Sequence, residues 1–189
     1  RKMEYISFVV KIQSIWRKYI ALKKCGCKLD RINWVRPELM HLTLKFLGEI
    51  AEGQIPLLSR LLADVAENYP SFQLKLNRIG AFGSHYQPRV IWLGPEEMPS
   101  LLRQLQHAME LSLRKQGFPP TYAPFVAHLT LARIHFIDSK KFFWEGIEKA
   151  AGMFNETVLV RQFILYESVL QKGKAPQYFA LQRFPLKDD

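Results

Sequence analysis

Apolar positions change period repeatedly along this chain, from the alternation of strands to the three- and four-residue spacing of helices. Tyr5 to Val10 is a short apolar run rich in β-forming residues and predicts a strand. Ile15, Tyr19 and Leu22 then recur at helical spacing through Lys24, with Gly26 as a stop. Ile32 to Val35 and His41 to Leu47 predict strands, broken by Pro37 and ended by Gly48. Pro56 near a first turn, followed by Leu57, Leu58, Leu61, Leu62 and Val65 on one stripe, predicts a helix. Phe72, Leu74 and Leu76 alternate as in a strand, and Val90 to Leu93 is another. Leu101, Leu102, Leu105, Ala108 and Met109 give a helix from Pro99 to Gln116, with Gly117 at its C-terminus. His128 to Ile134 predicts a strand and Asp138 a cap for a helix to about Ala150; Thr157 to Leu165 and Tyr178 to Arg183 complete the strands.

Two of the predicted strands carry the same four residues, His-Leu-Thr-Leu, at His41 to Leu44 and at His128 to Leu131. Alternation puts His41 and Thr43 on one strand face and Leu42 and Leu44 on the other, and likewise for the second copy. Random placement of 5 His and 4 Thr in 189 residues predicts about 0.1 His-x-Thr pairs, so two copies with identical leucines are not coincidence. Tyr5 to His41 and Val90 to His128 each span a strand, a helix and a motif strand over similar lengths. An internal duplication follows, with halves that face each other. No Pro/Ser-rich linker divides the chain, so residues 1–189 read as a single domain made of two similar lobes.

The net charge of +10 favours a polyanionic partner such as nucleic acid or an anionic membrane, or else is simply a basic surface. Cys25 and Cys27 are too few and too close for a disulfide framework or a complete zinc site, and read as reduced thiols of a cytoplasmic protein. No run approaches the roughly 18 apolar residues of a membrane span, and Arg1 to Ile12 lacks a signal-peptide core.

Two imidazoles and two hydroxyls on one cleft suit in-line displacement at phosphorus. An unperturbed imidazole titrates near about 6.5, so one ring can take a proton from attacking water while the other protonates the departing oxygen. Thr43 and Thr130 can hold non-bridging phosphate oxygens. Two His and two Thr do not make a zinc or iron site, so no metal is expected, and no Walker-type glycine loop implies ATP. His85, His107 and His135 read as structural or solvated, although His135 could reach a nucleotide.

Trp34-Val35-Arg36-Pro37-Glu38, His41 through Glu49, Pro88 through Gly94, His128 through Arg133, and Glu167-Ser168 with Gly173 and Tyr178 together resemble the 2H phosphoesterase superfamily. Within it the likeness is to the bacterial and archaeal RNA 2′,3′-cyclic phosphodiesterases, also called 2′-5′ RNA ligases. The resemblance implies a bilobal, pseudo-twofold α+β fold, with two antiparallel sheets forming a central cleft and helices outside. It implies cofactor-free hydrolysis of RNA 2′,3′-cyclic phosphate ends to 2′-phosphates, with reversible 2′-5′ joining, as in tRNA halves. By the same likeness His128 is the base, His41 the acid, and Arg133 a contact to phosphate or base; a surface arginine is the plain alternative. Phe46, Tyr122 and Phe125 flank the motifs as stacking or core residues, and Lys172 and Lys174 form a basic turn that either tracks the RNA backbone or is solvated. Many relatives carry Pro before the second His, where this chain has Ala127. A monomer with no membrane partner is expected. Other functions remain open: the same site acting on small substrates such as ADP-ribose cyclic phosphate or in 3′ end trimming of RNA, and a non-catalytic nucleotide- or RNA-binding module.

Overall fold

The computed structural model describes residues 2–9, 30–170 and 176–188. The predicted helix over residues 15–24, Cys25 and Cys27, and the basic turn of Lys172 and Lys174 lie outside them. Ten strands are described: β1 (Lys2–Val9), β2 (Arg31–Trp34), β3 (His41–Gly48), β4 (Phe72–Leu76), β5 (Arg78–Gly83), β6 (Pro88–Gly94), β7 (Leu129–Phe136), β8 (Glu156–Val160), β9 (Gln162–Val169) and β10 (Gln177–Pro185). Three helices accompany them: α1 (Ile55–Ala66), α2 (Ser100–Lys115) and α3 (Lys140–Ala151).

The strands divide between two antiparallel sheets. Eight form one sheet in the order β10-β9-β1-β3-β7-β6-β5, with β2 also paired to β7, and β4 and β8 form the other. The two motif strands are therefore next-door neighbours in one sheet. They pair only at Leu42 and Leu129. Beyond that pair β3 leaves β7, and β2 takes the vacated edge, matching Ile32 to Ile134 and Trp34 to Ala132. The Val35 N–H closes this junction on the Leu131 carbonyl at 2.9 Å.

Every motif leucine is buried: Leu42 0%, Leu44 3%, Leu129 1% and Leu131 0% exposed. They join one core with the apolar stripes of the helices, Leu58 and Leu62 of α1 and Leu102, Leu105, Met109 and Leu113 of α2. Helix α2 packs on β3, α1 on β9 and β10, and α3 on β5. Burying each such side chain contributes about 1.5–3 kcal/mol, and this one-sided burial leaves the histidine face of the sheet open to solvent.

Three local expectations are revised. Thr157 to Leu165 is two strands broken at Arg161, whose carbonyl accepts the Leu186 N–H at 2.8 Å. Strand β5 was not apparent in the residue pattern, because Arg-Ile-Gly-Ala-Phe-Gly carries too few apolar residues to alternate; Gly80 is needed where a Cβ would meet the Trp92 ring at 2.5 Å. The cap of α3 is Ser139, whose side chain accepts from the Phe142 N–H, while the Asp138 N–H is turned to the Asp30 carboxylate. No helix among the described residues is long and apolar enough to cross a membrane.

Leu105 is wholly buried at the centre of α2, so Leu105→Ala is expected to lower unfolding free energy by about 2–5 kcal/mol in a urea titration. A loss under about 1 kcal/mol would show that the helix layer is not packed as described.

Candidate active site

The Leu42–Leu129 pair sets the geometry. In an antiparallel pair a step forward along one strand is a step back along the other, so His41 falls opposite Thr130 and Thr43 opposite His128. All four share the face away from the leucines. The imidazoles thus sit on a diagonal, and diagonal neighbours in a regular antiparallel pair stand about 7–8 Å apart, a span one phosphate group can bridge. A cleft of about 1170 Å³ opens over this quartet; Phe46, Arg133, Tyr5, Tyr178, Trp34 and Phe82 are among its other lining residues.

A β-bulge completes each half. Ser7 pairs with Thr43 and Ile6 with Lys45, leaving Leu44 as the extra residue of β3. Trp92 pairs with Thr130 and Ile91 with Ala132, leaving Leu131 as the extra residue of β7. Strict alternation from the motifs would have turned Phe46 and Arg133 onto the leucine face; each bulge advances the phase by one residue and aims them into the cleft. The burial pattern of the two strands agrees. Leu44 and Lys45, like Leu131 and Ala132, are consecutive buried residues, followed by exposed Phe46 and Arg133.

The two rings are held alike. His41 Nδ1 lies 2.8 Å from the Leu39 carbonyl, and His128 Nδ1 lies 2.7 Å from the Val126 carbonyl. A carbonyl only accepts, so each Nδ1 carries its proton and each Nε2 is left to the cleft, an acceptor when the ring is neutral and a donor when it is charged. Pro37 and Pro124 occupy the same place before each histidine, a repeat of Pro-x-x-x-His that the sequence carries in plain view. Aromatic edges fix the rings further: Tyr178 meets His41 at 5.1 Å and Phe82 meets His128 at 4.8 Å between centroids, both edge-on. Tyr5 lies tilted against His41 at 5.0 Å.

Burial pushes both imidazoles below the ordinary histidine value, more than the carbonyl bonds raise them. The Arg133 guanidinium lowers both further, and His128 acts on His41 in the same sense. One cation close enough to disfavour charge on both rings marks a point where an anion would be welcomed. Burial also holds the Tyr5 and Tyr178 phenols protonated. The Tyr5 hydroxyl, Ser7 Oγ and Trp92 Nε1 are buried without a hydrogen-bond partner among the described residues. By register these residues lie beside Phe46, Thr43 and Thr130, and of the three Tyr5 lines the cleft itself.

The remaining candidates are scattered. Tyr122 is 91% exposed and is not among the residues lining the cleft, and Phe125 packs against the core. His135 accepts from the Asn33 amide at 3.0 Å, and His85 stacks on Trp144 at 5.0 Å. Among the described residues no three His, Cys, Asp or Glu side chains cluster as a metal site. Tyr5, Phe82 and Tyr178 were missed as site residues because each reaches its histidine from a strand distant in sequence.

A duplicated His-x-Thr pair on one cleft, with both imidazoles lining it beside Arg133, defines a phosphoesterase of the paired-histidine class. The chain belongs to the LigT-like phosphoesterase family, whose model matches residues 18–92 and again residues 93–175, one motif in each. It is 34% identical over 138 residues to the RNA 2′,3′-cyclic phosphodiesterase of Thermotoga maritima, covering 73% of this chain and 71% of that one. The match to the enzyme of the same name from Methanothermobacter thermautotrophicus is 33% identical over 104 residues and spans 55% of either chain, about half the length of that relative. In fold it is similar to E. coli LigT in its complex with 3′-AMP, at a TM-score of 0.76 and 25% identity over 98% of both chains.

A depressed imidazole binds fewer protons folded than unfolded. The stability it contributes is therefore complete above about pH 6.5 and is lost as pH falls below that value. NMR titration should find both His41 and His128 below the ordinary value, with urea stability falling from pH 7 toward pH 5; two ordinary titrations would contradict the buried geometry.

Proposed function

We propose that this protein opens 2′,3′-cyclic phosphate ends of RNA to 2′-phosphates by acid–base catalysis from its two imidazoles. The observation that carries the reading is the matched pair of histidines, each with Nδ1 spent on the backbone carbonyl two residues before it and Nε2 left to a cleft that Arg133 makes anion-seeking. Family membership and relatives named for this activity support it. The net charge of +10 suits an RNA chain.

In this reading residues 1–189 act as one domain of two lobes, each lobe giving one His-x-Thr pair. Thr43 and Thr130 donate hydroxyl hydrogens to the non-bridging oxygens, and Arg133 offsets their charge. The bound phosphate raises the depressed imidazoles, so that one ring holds a proton at neutral pH. Water attacks phosphorus on the His128 side and yields its proton to His128 Nε2. The bond from phosphorus to the 3′ oxygen breaks on the far side, and His41 Nε2 protonates that oxygen. The products are a 2′-phosphate and a free 3′ hydroxyl; exchange with solvent returns each ring to its starting state. A 5′ hydroxyl of a second RNA in place of water would give a 2′-5′ linkage by the same steps. Exposed Phe46 offers an aromatic face to the terminal base.

A short RNA ending in a 2′,3′-cyclic phosphate should yield only the 2′-phosphate, in EDTA, with a bell-shaped pH profile. Either His→Ala variant should lose about 10²–10⁴-fold in kcat. A substrate whose 3′ oxygen is replaced by sulfur leaves without acid help, so it should rescue His41→Ala and not His128→Ala. Rescue of the opposite variant would reverse the roles, and full activity in either variant would refute the mechanism.

A further inference from the structure

Lys45 is charged, lies on a motif strand, and faces away from the cleft. The bulge that turns Phe46 outward turns Lys45 inward, where its side chain is 1% exposed. Its ammonium donates to Glu110 of α2 at 2.8 and 2.9 Å, to the Pro119 carbonyl at 2.8 Å and to Thr121 Oγ1 at 3.1 Å. Glu110 in turn accepts the Thr121 N–H at 2.6 Å. Lys45 and Glu110 thus bind one object besides each other, the start of the segment between α2 and β7.

That segment, residues 118–128, has no helix or strand of its own and ends on His128. Its counterpart before His41 is the single 3₁₀ turn Pro37–Leu39, entered directly from β2. The first histidine therefore takes its orienting carbonyl from a turn fixed at both ends by strands. The second takes its carbonyl, Val126, from a long irregular loop, and such a loop wanders unless tied. The ties are visible. Lys45 and Glu110 grip Pro119 and Thr121, and β6 closes so tightly that a Cβ on Gly94 would stand 2.4 Å from the Ala127 carbonyl oxygen. A buried ion pair adds little net stability compared with an apolar pair of the same size, and its geometric demand is what it contributes.

We propose that Lys45, Glu110 and Thr121 form a positioning device for His128, through which the first motif strand sets the aim of the second motif's imidazole. The inference rests on His128 acting in the proposed reaction. The three touch no reacting atom; they hold the loop that holds the Val126 carbonyl, and so the direction of His128 Nε2. Misplacing a catalytic group by an ångström costs on the order of 10²-fold in rate without loss of substrate affinity.

The test uses Lys45→Met, Lys45→Arg and the milder Thr121→Val, which removes two hydrogen bonds at an exposed residue, the one accepted from Lys45 and the one donated to Glu110. Turnover of a 2′,3′-cyclic-phosphate RNA should fall by about 10- to 100-fold in Lys45→Met and about three- to tenfold in Thr121→Val, with KM nearly constant and partial recovery in Lys45→Arg. In a His128→Ala background Lys45→Met should cost nothing more. The His128 titration and its Nδ1–H proton signal, read by NMR without substrate, should change while those of His41 stay. Equal losses with and without His128, or an unchanged His128 signal in Thr121→Val, would overturn the device. A wild-type protein inert toward cyclic phosphate but with a His128 signal that responds to Lys45 would refute the reaction and leave the device standing. If Lys45→Met does not fold, Thr121→Val decides alone.

Discussion

Leu42 and Leu129 oppose each other where the two halves of the chain share an edge, and the cleft is a consequence of that contact. Because the pair joins equivalent residues of a repeated motif, it lies on the local twofold axis relating them. Whatever stands one residue before it in one strand must stand one residue after it, on the same face, in the other. Two identical motifs then generate an alternating quartet of imidazole and hydroxyl. A one-residue slip would bury the histidines and expose the leucines, and the apolar core behind β3 and β7 forbids it. The same burial that stabilises the fold fixes the register of the chemistry.

Around this axis the halves are alike where orientation matters and unlike where they connect. Both rings are oriented by a carbonyl two residues back, and both strands bulge at the fourth residue of the His-Leu-Thr-Leu motif. The bulges bring Phe46 and Arg133 to the same place after each motif, so one motif strand offers an aromatic ring where the other offers a cation. Their neighbours diverge too: Ala132 simply fills the core, whereas Lys45 reaches Glu110 and the approach to His128. Symmetry supplies a site with two similar groups, and the departures from symmetry give those groups different work.

Much of this was legible in the residues. Alternation placed His41, Thr43, His128 and Thr130 on strand faces opposite their leucines, and duplication said that the two sets meet. The bulges were not legible, because one extra residue against a partner strand is a property of pairing and not of the strand's own composition. For that reason Arg133 was expected from family likeness rather than from its phase, and alternation alone leaves Lys45 on the histidine face instead of in the core. Tyr5, Phe82 and Tyr178 reach their histidines from β1, β5 and β10, contacts set by sheet order that no local pattern reports. Tyr122, close to the second motif in sequence, is exposed and does not line the cleft; proximity along an irregular loop says little about proximity in space.

The central claim is that two imidazole nitrogens from separate halves of the chain flank one phosphorus atom. A crystal structure with a nucleoside 2′,3′-cyclic vanadate, which holds the five-coordinate geometry of the displacement, tests it directly. His41 Nε2 and His128 Nε2 should lie within about 3 Å of opposite apical oxygens, with both Nδ1 atoms still on their carbonyls. Vanadate bound with both rings on one side, or with either ring unengaged, would contradict the account.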